Sequence, residues 1–224
     1  MAIDVDTRDC TALGDAELAD MADICADGAA GYELGLLSKQ CEDWVLITRA
    51  RENGKLVGFS FCTLERIGGT PSMLVGLASV RRTAKRDSVL KALMADQYRR
   101  AVLAFPDEDV LVGTRMRDAA AFQAFKGLDD IVPRPGHKAT GEERAWSRRL
   151  AKRFGAEGQI DDRTFLVTGD GNACGILDFE TTKPESISPD VAAFFKGIKA
   201  NRRDYLIGFG WAMAEDLAGG KLGK

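Results

Sequence analysis

The chain has 224 residues, 45% apolar and 29% charged, with a formal net charge of −3. It is too apolar for a disordered chain and too near neutrality for a surface built wholly around nucleic acid. No run of about 18 apolar residues occurs, so no membrane partner is expected. Residues 2–10 read as a short strand or extended arm. Asp15 can cap a helix with Leu18, Met21, Ile24 and Cys25 at helical spacing and Asp20, Asp23 and Asp27 on the wet side. Residues 1–43 carry eleven acids and two bases, a net −9, so the other 181 residues sum to +6. Much of that acidic excess falls on this helix. Gly28, Gly31 and Gly35 interrupt the pattern, and a second, short helix is expected over 32–40.

Trp44–Thr48, Lys55–Leu64 and Ser72–Val80 read as three strands of an antiparallel meander. Asn53-Gly54 forms the first turn and Gly68-Gly69-Thr70-Pro71 the second. A basic loop, Arg81-Arg82-Thr83-Ala84-Lys85-Arg86-Asp87-Ser88, leads into a long helix whose buried face carries Leu90, Leu93, Met94, Gln97, Tyr98 and Ala101. Pro106 ends that helix. Asp109–Thr114 is a further strand, and Asp118 caps a short helix containing Phe122 and Phe125. Residues 129–141 read as a Pro/Gly loop. Glu142–Phe154 is a basic amphipathic helix with Trp146, Leu150 and Phe154 on one face. Thr164–Thr168 and Ile176–Phe179 flank Gly169-Asp170-Gly171-Asn172, a hairpin signal. Ser188-Pro189-Asp190 starts a helix with Val191, Phe194, Phe195 and Ile198. Residues 205–217 read as a strand leading into a short helix.

Several chemistries are excluded. The five cysteines (Cys10, Cys25, Cys41, Cys62, Cys174) are odd in number and no pair has C-x-x-C spacing. They are expected to be reduced core residues, so the expected location is cytoplasmic. A single histidine, His137, removes mechanisms that need two and the usual zinc hydrolase sets. A Ser-His-Asp triad stays formally open. However, no G-x-S-x-G elbow exists, and His137 lies in the loop Pro133-Arg134-Pro135-Gly136-His137-Lys138. No metal is expected. The G-x-x-x-x-G-K-[ST] phosphate loop is absent, and Gly169-x-Gly171-x-x-x-Gly175 is not a dinucleotide fingerprint.

The segment 74–104 carries the chemistry: an apolar strand, a basic loop, then a helix. A helix start presents unpaired N–H groups and the positive end of the dipole, which favours phosphate. Residues 81–91 add Arg81, Arg82, Lys85, Arg86 and Lys91 against Asp87, a net +4. This suits a pyrophosphate. Here the sequence resembles the GNAT superfamily of acyl-CoA N-acyltransferases, whose fourth strand ends loosely in V-x-P-x-x-R-G-x-G-x-G/A-x-x-L. With Val80 on the family's Val, Lys85 falls on its Arg, Arg86 and Ser88 on two glycines, and Leu93 on its Leu. The following strand and the helix ending Gly127-Leu128 continue the likeness over roughly residues 1–135. Gln123 stands where the family's frequent catalytic tyrosine would be.

The resemblance implies an α/β (α+β) fold with a mixed, mostly antiparallel sheet flanked by helices. It implies an acyl-CoA-binding core over 1–135, with 136–224 as a C-terminal extension packed on that core. It further implies that acetyl-CoA or another acyl-CoA is co-substrate to an amine acceptor. Backbone groups of Leu77, Ala78, Ser79 and Val80 would pair with the pantetheine arm. The pyrophosphate would be held by the amides of Arg86, Asp87, Ser88, Val89 and Leu90, with charge from Lys85 and Arg86. The acidic first helix and the Gly28–Gly35 loop would border a cationic acceptor. Glu65 is the candidate base; a solvent-facing strand residue is its plainer role. Two other functions stay open. One is a non-catalytic or nucleic-acid-directed protein on such a scaffold, resting on the basic helix, whose residues 138–153 hold six bases and two acids. The other is a structural role for 142–224, with the aromatics Phe194, Phe195, Tyr205, Phe209 and Trp211 covering the sheet or forming a homodimer contact.

Overall fold

The structure is a computed structural model and describes residues 3–27, 32–172, 174–176 and 187–222, apart from the side chains of Gln123 and Ala200. The expected elements open the chain. They are β1 (Asp4–Asp9), α1 (Asp15–Ala26), α2 (Leu34–Asp43), β2 (Leu46–Glu52), β3 (Lys55–Ile67) and β4 (Thr70–Val80). Asn53 and Gly54 both take positive φ (52° and 78°), the geometry of a tight turn that matches strand twist. β1 to β4 are paired in sequence order and antiparallel. The helix α3 (Arg86–Ala104) then crosses over, and β5 (Val110–Met116) returns parallel to β4.

After α4 (Ala119–Ala124) the structure departs from the loop expected over 129–141. Residues Asp129–Val132 form β6, which pairs with β9 (Tyr205–Ala212). The prolines and glycine that mark a loop begin only at Pro133, and the partner that makes 129–132 a strand lies over seventy residues on. Between them run α5 (Gly141–Arg153), β7 (Ile160–Asp161), β8 (Leu166–Val167) and α6 (Pro189–Phe194). The short α7 (Ala214–Ala218) follows β9. The expected hairpin about Gly169–Asn172 is also corrected. β8 pairs with β7 and β9 instead, residues 174–176 are not a strand, and 177–179 lie outside the described residues. Gly169 donates its N–H to Asp204 at 2.9 Å, so the chain turns toward the segment before β9 rather than back along β8.

The sheet order is β1-β2-β3-β4-β5-β9-β8-β7, with β6 also on β9. β9 runs antiparallel to β5 from Val110↔Ala212 to Met116↔Leu206. The last strand of the 136–224 extension thus sits inside the sheet, covering an apolar edge that β5 would otherwise leave bare. One sheet face packs α3, with Leu90, Leu93 and Met94 against Val75, Ala78 and Val112. The other packs α1, α2 and α5, with Met21, Leu37, Trp146 and Leu150 around Phe61, Leu74, Leu111 and Phe209. The edge strand β1 is tied to α3 through Asp96, which accepts from the Thr7 hydroxyl at 2.6 Å, from Arg100 Nε at 3.1 Å and from Arg99.

Candidate functional site

Strand β4 does not stay with β5. Their parallel register runs from Ser72↔Leu111 to Val75↔Thr114 and stops, although β4 continues to Val80 and β5 to Met116. Beyond that point β5 stays with β9 while β4 stays with β3. The register of β4 against β3 slips just there: Val75 faces Cys62 and Ala78 faces Ser60, so Gly76 and Leu77 together oppose Phe61. This is a β-bulge, which bends the strand. Gly76 is required because the Trp44 indole lies against its Cα, where a methyl group would overlap the ring. The result is a V-shaped gap between two central strands.

The chain's own segment Cys174–Ile176 enters that gap. The amide of Ala78 donates to the Ile176 carbonyl at 3.1 Å, and Ile176 is fully buried. The Tyr32 hydroxyl donates to the Cys174 carbonyl at 2.8 Å, which fastens the segment to the stretch before α2. Gly175 packs against the ends of the Gln40 and Arg115 side chains. The main-chain edge over Leu77, Ala78, Ser79 and Val80, expected to meet pantetheine, is thus already hydrogen-bonded at Ala78. All four residues are fully buried.

The basic loop lies at the far end of β4, as expected. Lys85 precedes the first residue of α3, and its ammonium pairs with Glu52. Arg81 reaches Asp27 at 3.4 Å, and Arg82 turns back onto Ser79 Oγ at 3.2 Å and the Val80 carbonyl. The Arg86 amide donates to the Thr83 carbonyl at 3.2 Å and the Val89 amide to Lys85 at 3.0 Å. Arg86 Nε is buried without a partner. Asp87 sits in the first turn and Ser88 is exposed, while the Val89 and Leu90 side chains belong to the core, so these two can offer backbone only.

Glu65, the candidate base, lies toward the C-terminal end of β3. It faces Ser72, whereas Ser79 faces Phe59, six residues back along β3. At about 3.3 Å per residue that is roughly 20 Å from the Ser79 end of the gap. Its Oε1 accepts from Arg153 Nε at 2.7 Å. The carboxylate thereby orients the Arg153 guanidinium. His137 is likewise spent: its Nε2 lies 2.9 Å from both oxygens of Glu143. Glu143 also caps α5 through the Thr140 amide at 2.6 Å. Burial acts to raise the Glu143 pKa, but the bonds from Thr140 and His137 hold it below the usual value.

At the apex of the V opens a cavity of about 240 Å³ lined by Asp43, Trp44, Arg115, Arg153, Phe154 and Gly155. Arg115 is the first β5 residue past the last pair with β4, and Trp44 covers Gly76, the first past it on β4. Arg115 stacks on the Phe154 ring at 5.0 Å. Arg153 is one of the six bases of residues 138–153, whereas Arg115 carries no motif of its own. The available signal was a charged residue inside the apolar run Val110–Met116, together with a glycine inside Ser72–Val80. The acidic helix does not line this cavity: Asp20 and Asp23 are exposed, Asp27 reaches Arg81, and Glu17 pairs with Arg8, Arg49 and Arg51.

The basic face of α5 is largely engaged. Arg144 and Arg148 pair with Asp162, Arg153 with Glu65, and Arg149 lies 4.7 Å over the Trp146 ring. The aromatics of the tail are also used within the chain: Phe209 lies beside Phe165, Trp211 beside Trp146, and Phe195 beside Phe122. No disulfide joins any of the five cysteines, and burial pushes the thiols of Cys10 and Cys62 up to about 12, which makes both inert. Among the described residues no cluster suited to a metal occurs, and no helix is long and apolar enough to cross a membrane.

No family model and no curated protein matches the chain. Solved structures similar to it include the ribosomal-protein-alanine N-acetyltransferase of Brucella melitensis biovar Abortus 2308. That structure is 19% identical, with a TM-score of 0.39, over 50% of this chain and 79% of its own. The ribosomal-protein-S18-alanine N-acetyltransferase of Escherichia coli is 14% identical over 62% of this chain and 86% of its own, with a TM-score of 0.43. The NatC complex bound to Gag peptide and CoA has a chain 17% identical over 57% and 83%, with a TM-score of 0.42. Likeness at this level says nothing of chemistry. The parting of β4 from β5 and the cation-rich start of α3 have to speak for that.

Proposed function

We propose that the chain is an acyl-CoA-dependent N-acyltransferase, in its simplest form an acetyltransferase. One observation carries this reading: a parallel pair of central strands that separates after Val75 and Thr114, with the first turn of a 19-residue helix and its cations at the end of the separated strand. A separated strand offers unpaired amides and carbonyls to an extended ligand with amide groups of its own, such as pantetheine. The helix start offers amides and a positive dipole end to the pyrophosphate, with Lys85 and Arg86 adding charge. The thioester would then lie at the apex, beside Gly76 and Arg115. A neutral amine nitrogen there attacks the thioester carbonyl; the C–N bond forms, the C–S bond breaks, and the amine proton ends on the departing thiolate. Positioning of this kind supplies most of the acceleration such a reaction needs.

In this arrangement Ala78 exchanges the Ile176 carbonyl for the ligand, and Glu65 acts by holding Arg153. The test is isothermal titration of the full chain with acetyl-CoA and longer acyl-CoAs, followed by an assay of thiol release with added amines. Saturable binding is expected; no binding at millimolar ligand overturns the reading. A basic-face nucleic-acid role receives no such support, since most of the cations of α5 already have partners.

A further inference from the structure

Two arginines in this protein are buried within the sheet, and they are treated differently. Arg49, 7% exposed, lies between the carboxylates of Asp6 and Glu17. Arg115, 9% exposed, has no carboxylate within ion-pair distance among the described residues, and its Nε is buried without a hydrogen-bond partner. A buried guanidinium cannot shed its charge by losing a proton, so leaving it uncompensated is costly. The Phe154 ring on which it stacks is a weak substitute for a carboxylate. The Tyr205 phenol shares a hydrogen bond with Arg115 but, pushed up to about 12 by burial, stays neutral and gives no counter-charge. Arg115 lines the apex cavity, and a second guanidinium, that of Arg153, lines it too and is oriented by Glu65.

Resting on the acyltransferase reading, we infer that Arg115 and Arg153 receive a carboxylate of the acceptor, which is therefore an amino acid or a similarly small amine bearing a carboxylate. The cavity's size, about 240 Å³, suits a molecule of that scale and not a folded partner. Its lining also supplies the Asp43 carboxylate and two aromatic walls, Trp44 and Phe154, so the cavity offers both charge signs and an apolar surface. That combination fits a zwitterion with a side chain. A guanidinium fork takes a carboxylate through two parallel hydrogen bonds, which fixes the direction in which the amine points.

The experiment uses the full chain and three pairs of probes that differ only in the carboxylate: alanine and ethylamine, leucine and isoamylamine, phenylalanine and phenethylamine. Binding is read by calorimetry without CoA, and turnover by thiol release from acetyl-CoA. In at least one pair the amino acid binds at least tenfold more tightly than its decarboxylated twin. In Arg115→Met that gap closes, while Arg115→Lys retains part of it. Should Arg115→Met fail to fold, Arg153→Gln, at a half-exposed position, shrinks the gap in its place. The inference is overturned if every pair separates by less than tenfold, if the gap survives both Arg115→Met and Arg153→Gln, or if phosphoethanolamine outcompetes every amino acid. The two readings fail separately. Separation of the pairs without any acetyl-CoA binding sinks the acyltransferase and leaves the carboxylate site. Discharge of acetyl-CoA equally onto both twins does the reverse.

Discussion

At the scale of single residues, the acids and bases that matter most are those with fixed partners. Asp96 joins the edge strand to α3. Burial acts to raise its pKa, but the Thr7 hydroxyl and the guanidinium groups of Arg99 and Arg100 outweigh burial and hold it below its ordinary value of 3.8. Glu17 follows the same pattern: burial opposes, and the Gly14 amide, Arg8 and Arg49 prevail. A carboxyl whose folded pKa lies below its unfolded one contributes stability above the unfolded value, and loses it as pH falls through the folded value. Urea midpoints measured from pH 6 downward should therefore hold until about pH 4 and then drop. Asp96→Asn should cost on the order of 2 kcal/mol at neutral pH and flatten the acid limb. An Asn variant with an unchanged acid limb would show that this acid does not carry the effect. Neither Asp96 nor Arg115 was legible as important beforehand. Both sit among residues whose helical or strand periodicity announces a core, and what makes them matter is a partner, or the lack of one, brought from a distant segment.

At the scale of elements, local rules explain most of what was legible. The meander, its two turns, the long helix after the basic loop and the closing strand all follow from periodicity and turn chemistry, which act over a few residues. The apex was not legible, because a bulge depends on Phe61 opposing both Gly76 and Leu77 across a strand pair. Gly76→Ala tests that element. With the Trp44 ring on its Cα, the added methyl should cost about 1–3 kcal/mol, a loss of several degrees in melting temperature; an unchanged melt would mean the indole moves aside freely. The Cys174–Ile176 segment is equally non-local. If pantetheine takes the Ala78 amide, loosening this segment should favour binding. Tyr32→Phe removes the bond to the Cys174 carbonyl, worth about 1 kcal/mol, and should tighten acetyl-CoA binding by roughly fivefold in calorimetry. Equal affinity in the two proteins would show that the segment does not compete.

At the scale of the whole molecule, the acidic start lends Asp43 to the apex cavity, while other acids of that segment have structural partners. The acids of α1 that do engage reach Arg8, Arg49, Arg51 and Arg81, so part of that asymmetry serves to bind the N-terminal segment to the sheet. Strand pairing crosses the boundary expected at residue 135. Composition and motif both change near there, but hydrogen bonding does not respect the change. β9 pairs with β5 over seven positions and also holds β6 and β8. Each core face mixes residues from both sides: Val75 and Val112 share one with Leu206, Ala212 and Leu217, and Leu74 and Leu111 share the other with Trp146, Leu150 and Phe209. A chain ending at residue 135 would expose the inner edge of β5 and leave both faces part-empty, a heavy loss for a domain stable by only about 5–15 kcal/mol. The full chain should therefore unfold in urea as one transition, coincident by far-UV circular dichroism and tryptophan fluorescence. The fragment 1–135 should show no cooperative transition when made alone, and should regain one when refolded with 136–224, because the missing strand is supplied in trans. A soluble 1–135 fragment with its own cooperative melt, or two separated transitions in the full chain, would show that the core is complete without β9.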